Sequence, residues 1–160
     1  MNGKLSLDQL ENFLDETGDS LRGDREATEF KEYVIAILFL KRLNDRFNLE
    51  REVRRHKLTV KGLSQSQIEE ELEKRESYRL FVPKMARWDM VKQEKRDLGS
   101  YLTKTFLEID DMNRGCLGVL NTVDFDKTSE TGKKYINDDD LAELIKRFEE
   151  LNLADDHLAF

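Results

Sequence analysis

Apolar residues recur every three or four positions along most of the chain, the spacing that is typical of amphipathic helices. A first helix is predicted from Ser6 to about Arg22, because Ser6 and Gln9 have the spacing of a capping box. Gly23 follows it and fits the residue that commonly ends a helix.

The most apolar part of the chain lies in a second predicted helix, from Thr28 to about Phe47. Every position from Tyr33 to Leu40 is apolar, and a helix that is apolar on most sides is buried. We therefore predict that it is the central helix of the core. Its last turns carry cations that suit the negative end of a helix dipole, namely Lys41, Arg42 and Arg46.

The middle of the chain is polar and charged. Ser64 and Gln67 form a second capping-box pattern, which predicts a short peripheral helix around Ile68–Arg75. The flanking segments Lys57–Val60 and Arg79–Val82 are rich enough in β-branched and aromatic residues to form a short two-stranded ribbon.

The C-terminal half again has helical periodicity. Pro83 breaks the chain, and a fourth helical region runs from Lys84 to Asn113. Its stripe comprises Leu98, Tyr101, Leu102, Thr105, Phe106, Ile109 and Met112. A last helix begins at Asn137 or Asp138. The pattern predicts one mainly α domain over residues 1–160, a compact bundle of about five helices with one short β ribbon as an option.

The composition excludes some classes of protein but does not indicate a function. The chain has 160 residues, 38% of them charged, with one proline and eight glycines, which favours long helices. Its longest apolar run has eight residues, whereas a membrane helix needs about 20. The single Cys116 cannot form an internal disulfide. We expect a cytoplasmic protein without a membrane partner.

Several kinds of catalytic site are missing from the sequence. An adenine methyltransferase needs an Asn-Pro-Pro-Tyr-type motif, and the only proline is Pro83. The glycine pair Gly115 and Gly118 does not match a nucleotide-binding loop. The acidic clusters Asp110-Asp111 and Asp138–Asp140 are better explained as a solvated face and a helix start than as metal ligands. We therefore predict no catalytic, cofactor-binding or metal-binding residue here.

A basic stretch contrasts with the acidic chain. The segment from Arg46 to Lys61 contains six cations and two glutamates. Its local charge is therefore +4, in a chain whose net charge is −7. Such a stretch can contact phosphates, although a solvated helix with Glu–Arg pairs explains it as well. With a second, smaller cluster, the candidates for DNA contact are Arg46, Arg51, Arg54, Arg55, Lys57, Lys61, Lys92, Lys95 and Arg96. We interpret His56 as a surface residue and Trp88 as a core anchor.

Several short motifs, in order, resemble one family. They are Leu21-Arg22-Gly23, the helix Thr28-Glu29-Phe30-Lys31-Glu32-Tyr33 to Leu38-Phe39-Leu40-Lys41-Arg42-Leu43-Asn44-Asp45, Phe81-Val82-Pro83, Ala86-Arg87-Trp88, Gly118-Val119-Leu120, Phe125 and Asp140-Leu141 with Leu144-Ile145 and Phe148. Together they resemble the N-terminal domain of the DNA-modifying (M) subunit of type I restriction-modification systems. The resemblance covers essentially the whole chain.

The resemblance implies a role that no motif here supplies. In that family a catalytic domain follows, which we expect C-terminal to residue 160. It binds S-adenosylmethionine and methylates adenine at N6. The implied partners are a specificity (S) subunit, a second M subunit, a restriction (R) subunit and double-stranded DNA. The N-terminal domain is expected to assist DNA clamping and subunit assembly without catalysing the reaction.

Two other hypotheses fit the residues alone. The chain could be a stand-alone helical module that binds only protein, or a small hydrolase that uses its aspartate clusters with a metal ion. An Asn-Pro-Pro-Tyr-type motif downstream in the reading frame separates the first of these from the methyltransferase hypothesis.

Overall fold

The computed structural model describes residues 6–22, 27–114 and 123–154. They form the α-helices α1 Leu7–Arg22, α2 Ala27–Val60, α3 Gln65–Leu72, α4 Trp88–Gln93, α5 Leu98–Asn113 and α6 Asp138–Glu149, with 3-10 turns at Arg75–Ser77 and Lys84–Ala86. Within these ranges there is no strand, and the only β pairing is an isolated bridge between Thr128 and Lys134. The predicted mainly α fold is confirmed.

Helix α2 is the axis of the bundle, as its apolar pattern predicts. It packs against α1, α3 and α6, and α5 packs against α6 to close the core. Ile37 and Leu40 have no exposed surface, while Ile35 is 41% exposed, so the helix is covered on most but not all sides. The interior is completed by fully buried side chains from the C-terminal half, among them Leu102, Phe106, Ile109, Leu141, Leu144 and Phe148.

Helix α2 is longer than the sequence pattern predicts. It continues past Phe47 to Val60, so Lys57–Val60 forms its last turn and the suggested ribbon is wrong. The partner segment Arg79–Val82 runs without strand pairing, with Val82 buried in the core. Lys41, Arg42 and Arg46 consequently lie in the middle of the helix, where the helix dipole does not explain them.

The predicted helix starts are confirmed by their hydrogen bonds. The Ser6 hydroxyl accepts from the Gln9 N–H at 3.1 Å, and the Gln9 side chain accepts from the Ser6 N–H at 2.9 Å. Ser64 and Gln67 repeat this capping box at α3. Asn137 caps α6 by accepting from the Asp140 N–H at 2.8 Å. Gly23, the predicted end of the first helix, lies outside the described residues.

The region from Lys84 to Asn113 divides into α4 and α5 instead of forming one helix. Helix α5 then lies close to the chain before α6, because Gly99 has no side chain. A Cβ at Gly99 would lie 2.6 Å from the Phe125 carbonyl oxygen. The close approach lets the fully buried Phe125 stack on Phe106 at 5.6 Å between ring centroids.

None of the helices in the described ranges combines the length and apolar character that a membrane span requires.

Candidate functional site

The distal part of α2, residues 48–60, pairs with α3 in a helical hairpin that has its own small apolar cluster. Leu58 of α2 packs with Ile68 and Leu72 of α3, and Leu63 of the connecting turn lies against them. The core proper ends at Phe47 on this helix. The predicted peripheral position of the third helix is therefore confirmed, and most of the basic stretch lies on this hairpin.

Glu73 fastens the base of the hairpin to the core. Its carboxylate accepts two hydrogen bonds from the Arg87 guanidinium, at 3.0 and 2.7 Å, and one from Arg51 at 2.9 Å. Hydrogen bonds from Arg87, reinforced by those from Arg51, lower the pKa of Glu73 from 4.5 to about 2 against the opposing effect of burial. Both guanidinium groups also lie over the Phe47 ring, at 5.5 Å for Arg51 and 5.3 Å for Arg87. Arg51 therefore has a structural partner.

Three more of the candidate DNA-contact residues have partners inside the protein. Arg46 donates to the Ala154 carbonyl oxygen at 2.9 Å. Arg55 pairs with Glu69 across the hairpin, and Lys92 pairs with Glu149 of α6 at 2.8 Å. Whether these cations also contact DNA stays a prediction, but the partners fix their positions.

The other five candidates fall into two places. After the end of α4, Lys95 donates to the Lys92 carbonyl oxygen at 3.2 Å, and Arg96 is exposed. On the hairpin lie Arg54, Lys57 and Lys61, which we call the basic edge. None of these three forms an ion pair with any residue that the structure describes.

A surface hollow of about 450 Å³ opens beside the basic edge. Arg54 and Lys57 line it from α2, and Arg79 lines it from the opposite side. Among the residues that the structure describes, Glu50 is the one acidic residue of the lining, which therefore carries three cations and one carboxylate. Arg54 Nε is buried and, among the described residues, has no hydrogen-bond acceptor. The lining of the hollow therefore carries an excess of positive charge.

Two buried asparagines are structural residues that the sequence pattern did not predict. Asn44 accepts from the Trp88 N–H at 2.7 Å and donates to the Ala86 carbonyl at 3.0 Å. Asn113 accepts from the Phe81 N–H and donates to the Phe81 carbonyl, both at 2.8 Å. The available signal was a polar residue within a helical apolar stripe, because a buried amide must have hydrogen-bond partners.

The segment after α6 is held against the middle of α2. Buried Lys41 bonds both carboxylate oxygens of Asp45 at 2.7 Å and also donates to the Leu151 carbonyl. Asp45 in turn accepts from the Leu153 N–H at 2.8 Å, and Arg42 donates to the Leu153 carbonyl. These cations in mid-helix therefore fix the direction in which the chain leaves the bundle.

The interpretations of Trp88 as a core residue and of His56 as a surface residue are both confirmed. Trp88 is 7% exposed and belongs to the core, with the Lys41 ammonium 5.7 Å from its ring centroid. His56 lies on the exposed side of α2. Asp138–Asp140 occupy the first turn of α6, where Asp138 also accepts from the Leu98 N–H at 3.1 Å.

The described residues do not fit S-adenosylmethionine. That cofactor is usually bound by a glycine-rich turn after a strand, and the described ranges contain neither. The same ranges contain no group of three His, Cys, Asp or Glu side chains that could hold a metal ion. No step of a reaction can be derived from these residues.

The described chain is thus a mainly helical domain whose projecting hairpin carries the three cations of the basic edge, Arg54, Lys57 and Lys61. Residues 10–148 match the family model of the HsdM N-terminal domain. The chain belongs to this family, the N-terminal domains of M subunits in type I restriction-modification systems, and the family implies assembly in such a complex. A comparison with curated proteins gave no match.

Proposed function

We propose that this domain assists a type I DNA adenine-N6 methyltransferase by clamping DNA and by joining the M subunit to the specificity subunit. The proposal is carried by one observation: a member of this family presents Arg54, Lys57 and Lys61 on one edge of a projecting hairpin. In a chain of net charge −7, such an edge is a local reversal of the electrostatic potential.

The basic edge would act on the DNA backbone. Lysine and arginine contacts to phosphates fix a protein on the duplex without reading its sequence. Because the hairpin is anchored through Glu73, its cations would keep a set position relative to the core. The DNA target would then be read elsewhere in the complex, by the specificity subunit.

The chemistry belongs to other parts of the complex in this proposal. A catalytic domain, expected beyond residue 160, would bind S-adenosylmethionine and transfer the methyl group. A second M subunit and a restriction subunit would complete the assembly on double-stranded DNA in the cytoplasm. Closure of the helical domain would add phosphate contacts and shield the flipped adenine during transfer.

The test is the salt dependence of DNA binding by the assembled methyltransferase with Arg54, Lys57 and Lys61 all changed to glutamate. Each lost phosphate contact should reduce the slope of log K against log salt by roughly 0.9. We expect a reduction of about 2 to 3, with affinity lowered at low salt.

The matched control changes Lys31, Lys104 and Lys133 to glutamate. All three lysines are exposed, lie outside the basic edge and give the same change in net charge. An unchanged slope in the first variant, or an equal reduction in both variants, would show that the basic edge does not touch DNA.

A further inference from the structure

Residues 151–154, which we call the strap, follow α6 and lie along the middle of α2. They have no regular secondary structure, yet they are anchored in the interior of the domain. Leu153 has no exposed surface and packs with Leu10 of α1. The partly buried side chains of Leu14 and Leu38 lie against this pair. The strap is therefore an integral part of the domain.

Four charged side chains of α2 bind the main chain of the strap, and we call them the clasp. They are Lys41, Arg42, Asp45 and Arg46. The three cations donate to carbonyl oxygens of the strap, and Asp45 accepts from the Leu153 N–H at 2.8 Å. The clasp residues form two pairs four positions apart, and residues at this spacing are neighbours on a helix surface. Because the bonds go to main-chain atoms, they fix the path of the chain.

The clasp contains a buried ion pair. Lys41 is only 5% exposed, and its ammonium group bonds both carboxylate oxygens of Asp45 at 2.7 Å. A buried ion pair adds little net stability, because both charges must leave water, although the loss of one partner is costly. Such a pair can instead specify one arrangement of the groups that it holds. Here the arrangement that it specifies is the position of the strap on α2.

The clasp and the basic edge lie on the same helix. Helix α2 is continuous over Ala27–Val60. Asp45 of the clasp and Lys57 of the basic edge are 12 residues apart, which corresponds to about 18 Å along the helix axis. Glu73 also ties the distal part of this helix to the core. The chain that leaves the domain and the cations proposed to face DNA are thus joined through one rigid element.

From these observations we infer that the clasp residues are positioning residues for methyl transfer. By holding the strap on α2, they set the position of the helical domain relative to the catalytic domain. The inference rests on the proposed function, because it requires the catalytic domain that is proposed to follow. It also gives Arg46, one of the candidates for DNA contact, a role inside the protein.

Release of the strap would change the geometry of the whole subunit. Four more residues would join the connection between the domains, and four extended residues reach up to about 14 Å. The helical domain would then take many positions relative to the catalytic domain. Because reacting groups must be held in place, misplacement of a domain that closes on DNA lowers the rate of the reaction.

The first test asks whether the clasp holds the strap. Spin labels are attached at Glu108→Cys on α5 and Asn152→Cys on the strap, both exposed positions, in a full M subunit whose other cysteines are replaced. The clasp variant carries Lys41→Met and Asp45→Ala, which keep the net charge and leave neither charge of the pair buried alone. We expect a narrow distance distribution in the wild type and a broad one in the variant. Any other combination would overturn the inference.

The second test measures methylation by the assembled methyltransferase at saturating DNA and S-adenosylmethionine. We expect the rate in the clasp variant to fall roughly tenfold or more, with an unchanged Kd for S-adenosylmethionine. Leu153→Ala, which removes the buried side chain of the strap, should change the rate in the same direction. An unchanged rate in a variant whose strap is released would show that the clasp has no positioning role.

The control is Leu102→Ala in α5. Leu102 is as fully buried as Leu153 but belongs to the main core cluster, whereas Leu153 packs in the separate cluster with Leu10. The control should therefore lose stability with the strap still bound and keep its methylation rate. Rates are compared at a temperature at which circular dichroism shows all variants folded. An equal fall in the control would assign the effect to lost stability and overturn the inference.

The outcome is separable from that of the proposed DNA contact, because the clasp variant retains all three cations of the basic edge. If the basic edge fails its salt-slope test while the clasp variant loses rate, the DNA contact is wrong and the positioning role stands. The opposite pair of results removes the positioning role alone. A wild-type complex that does not methylate DNA would refute the proposed function itself.

Discussion

The two halves of α2 are stabilised in different ways, although they form one continuous helix. The proximal half, residues 27–47, is surrounded by α1, α6 and the loops before α4, and most of its apolar side chains are buried, Ile35 being the exposed one. The distal half, residues 48–60, is covered on one side by α3 and contributes only Leu58 to a small cluster. Ion pairs of Arg55 with Glu69 and of Arg51 with Glu73 add to this small apolar contact.

One helix can thus serve both as part of the core and as a projecting arm. Ion pairs near the surface contribute little compared with buried apolar side chains. The hairpin should therefore open locally at lower free energy than the core. The hairpin sequence therefore includes outward-facing cations and the exposed apolar residues Leu49, Val53 and Val60.

The largest expected effect is in the proximal half. Leu40→Ala removes a side chain with no exposed surface at the centre of the bundle. Because a cavity remains in a tightly packed core, we expect the free energy of unfolding to fall by about 2–5 kcal/mol. Chemical denaturation monitored by circular dichroism measures the change.

Leu72→Ala in the distal cluster is the matched comparison, since Leu72 is equally buried. If the two halves differ as described, this variant speeds amide exchange in the hairpin and leaves exchange in α5 and α6 largely unchanged. A uniform increase throughout the protein would mean that hairpin and core unfold as one unit.

The sequence pattern predicted the proximal half better than the distal half for a physical reason. Burial on several sides leaves a long apolar run, whereas six of the thirteen residues in the distal half are charged and give no such run. Thr59 and Val60 suggested a strand because β-branched residues favour strands locally. The segment is helical instead, because the helix places Leu58 against α3. The split between α4 and α5 was missed because both parts continue the apolar spacing.

Glu73 links the distal half of α2 to the core. Glu73→Gln removes the charge that holds Arg51 and Arg87, so the base of the hairpin should loosen. The carboxylate is 32% exposed, so the stabilisation implied by its pKa must be discounted for solvent screening. We expect a loss of about 1–2 kcal/mol near neutral pH.

The effect of pH has a definite sign. The folded-state pKa of Glu73, about 2, is below the ordinary 4.5, so its stabilisation is complete above 4.5 and declines as pH falls towards 2. The gap between wild type and Glu73→Gln should therefore shrink in denaturation curves measured at about pH 3. A gap that is equal at both pH values would assign the loss to packing alone.

Only part of the candidate site could be predicted from the sequence. A local excess of cations can be counted along the chain, and the count pointed to the hairpin. The partners that bind some of those cations are distant in sequence: Glu73 is 22 residues from Arg51, and Glu149 is 57 residues from Lys92. Only the fold distinguishes these ion-paired cations from those of the basic edge.

The smallest expected effect concerns the start of α3. Ser64→Ala removes the hydroxyl that accepts from the Gln67 N–H at 3.2 Å, and a lost N-cap costs about 1 kcal/mol. Because α3 belongs to the less stable hairpin, the cost should appear mainly as faster amide exchange in α3 and residues 48–60. Asn137→Ala removes the corresponding cap of α6, which packs on the core, and should lower global stability instead. If both variants shift the global unfolding curve equally, the hairpin is not an independent unit, and the distinction between the two halves of α2 is one of composition alone.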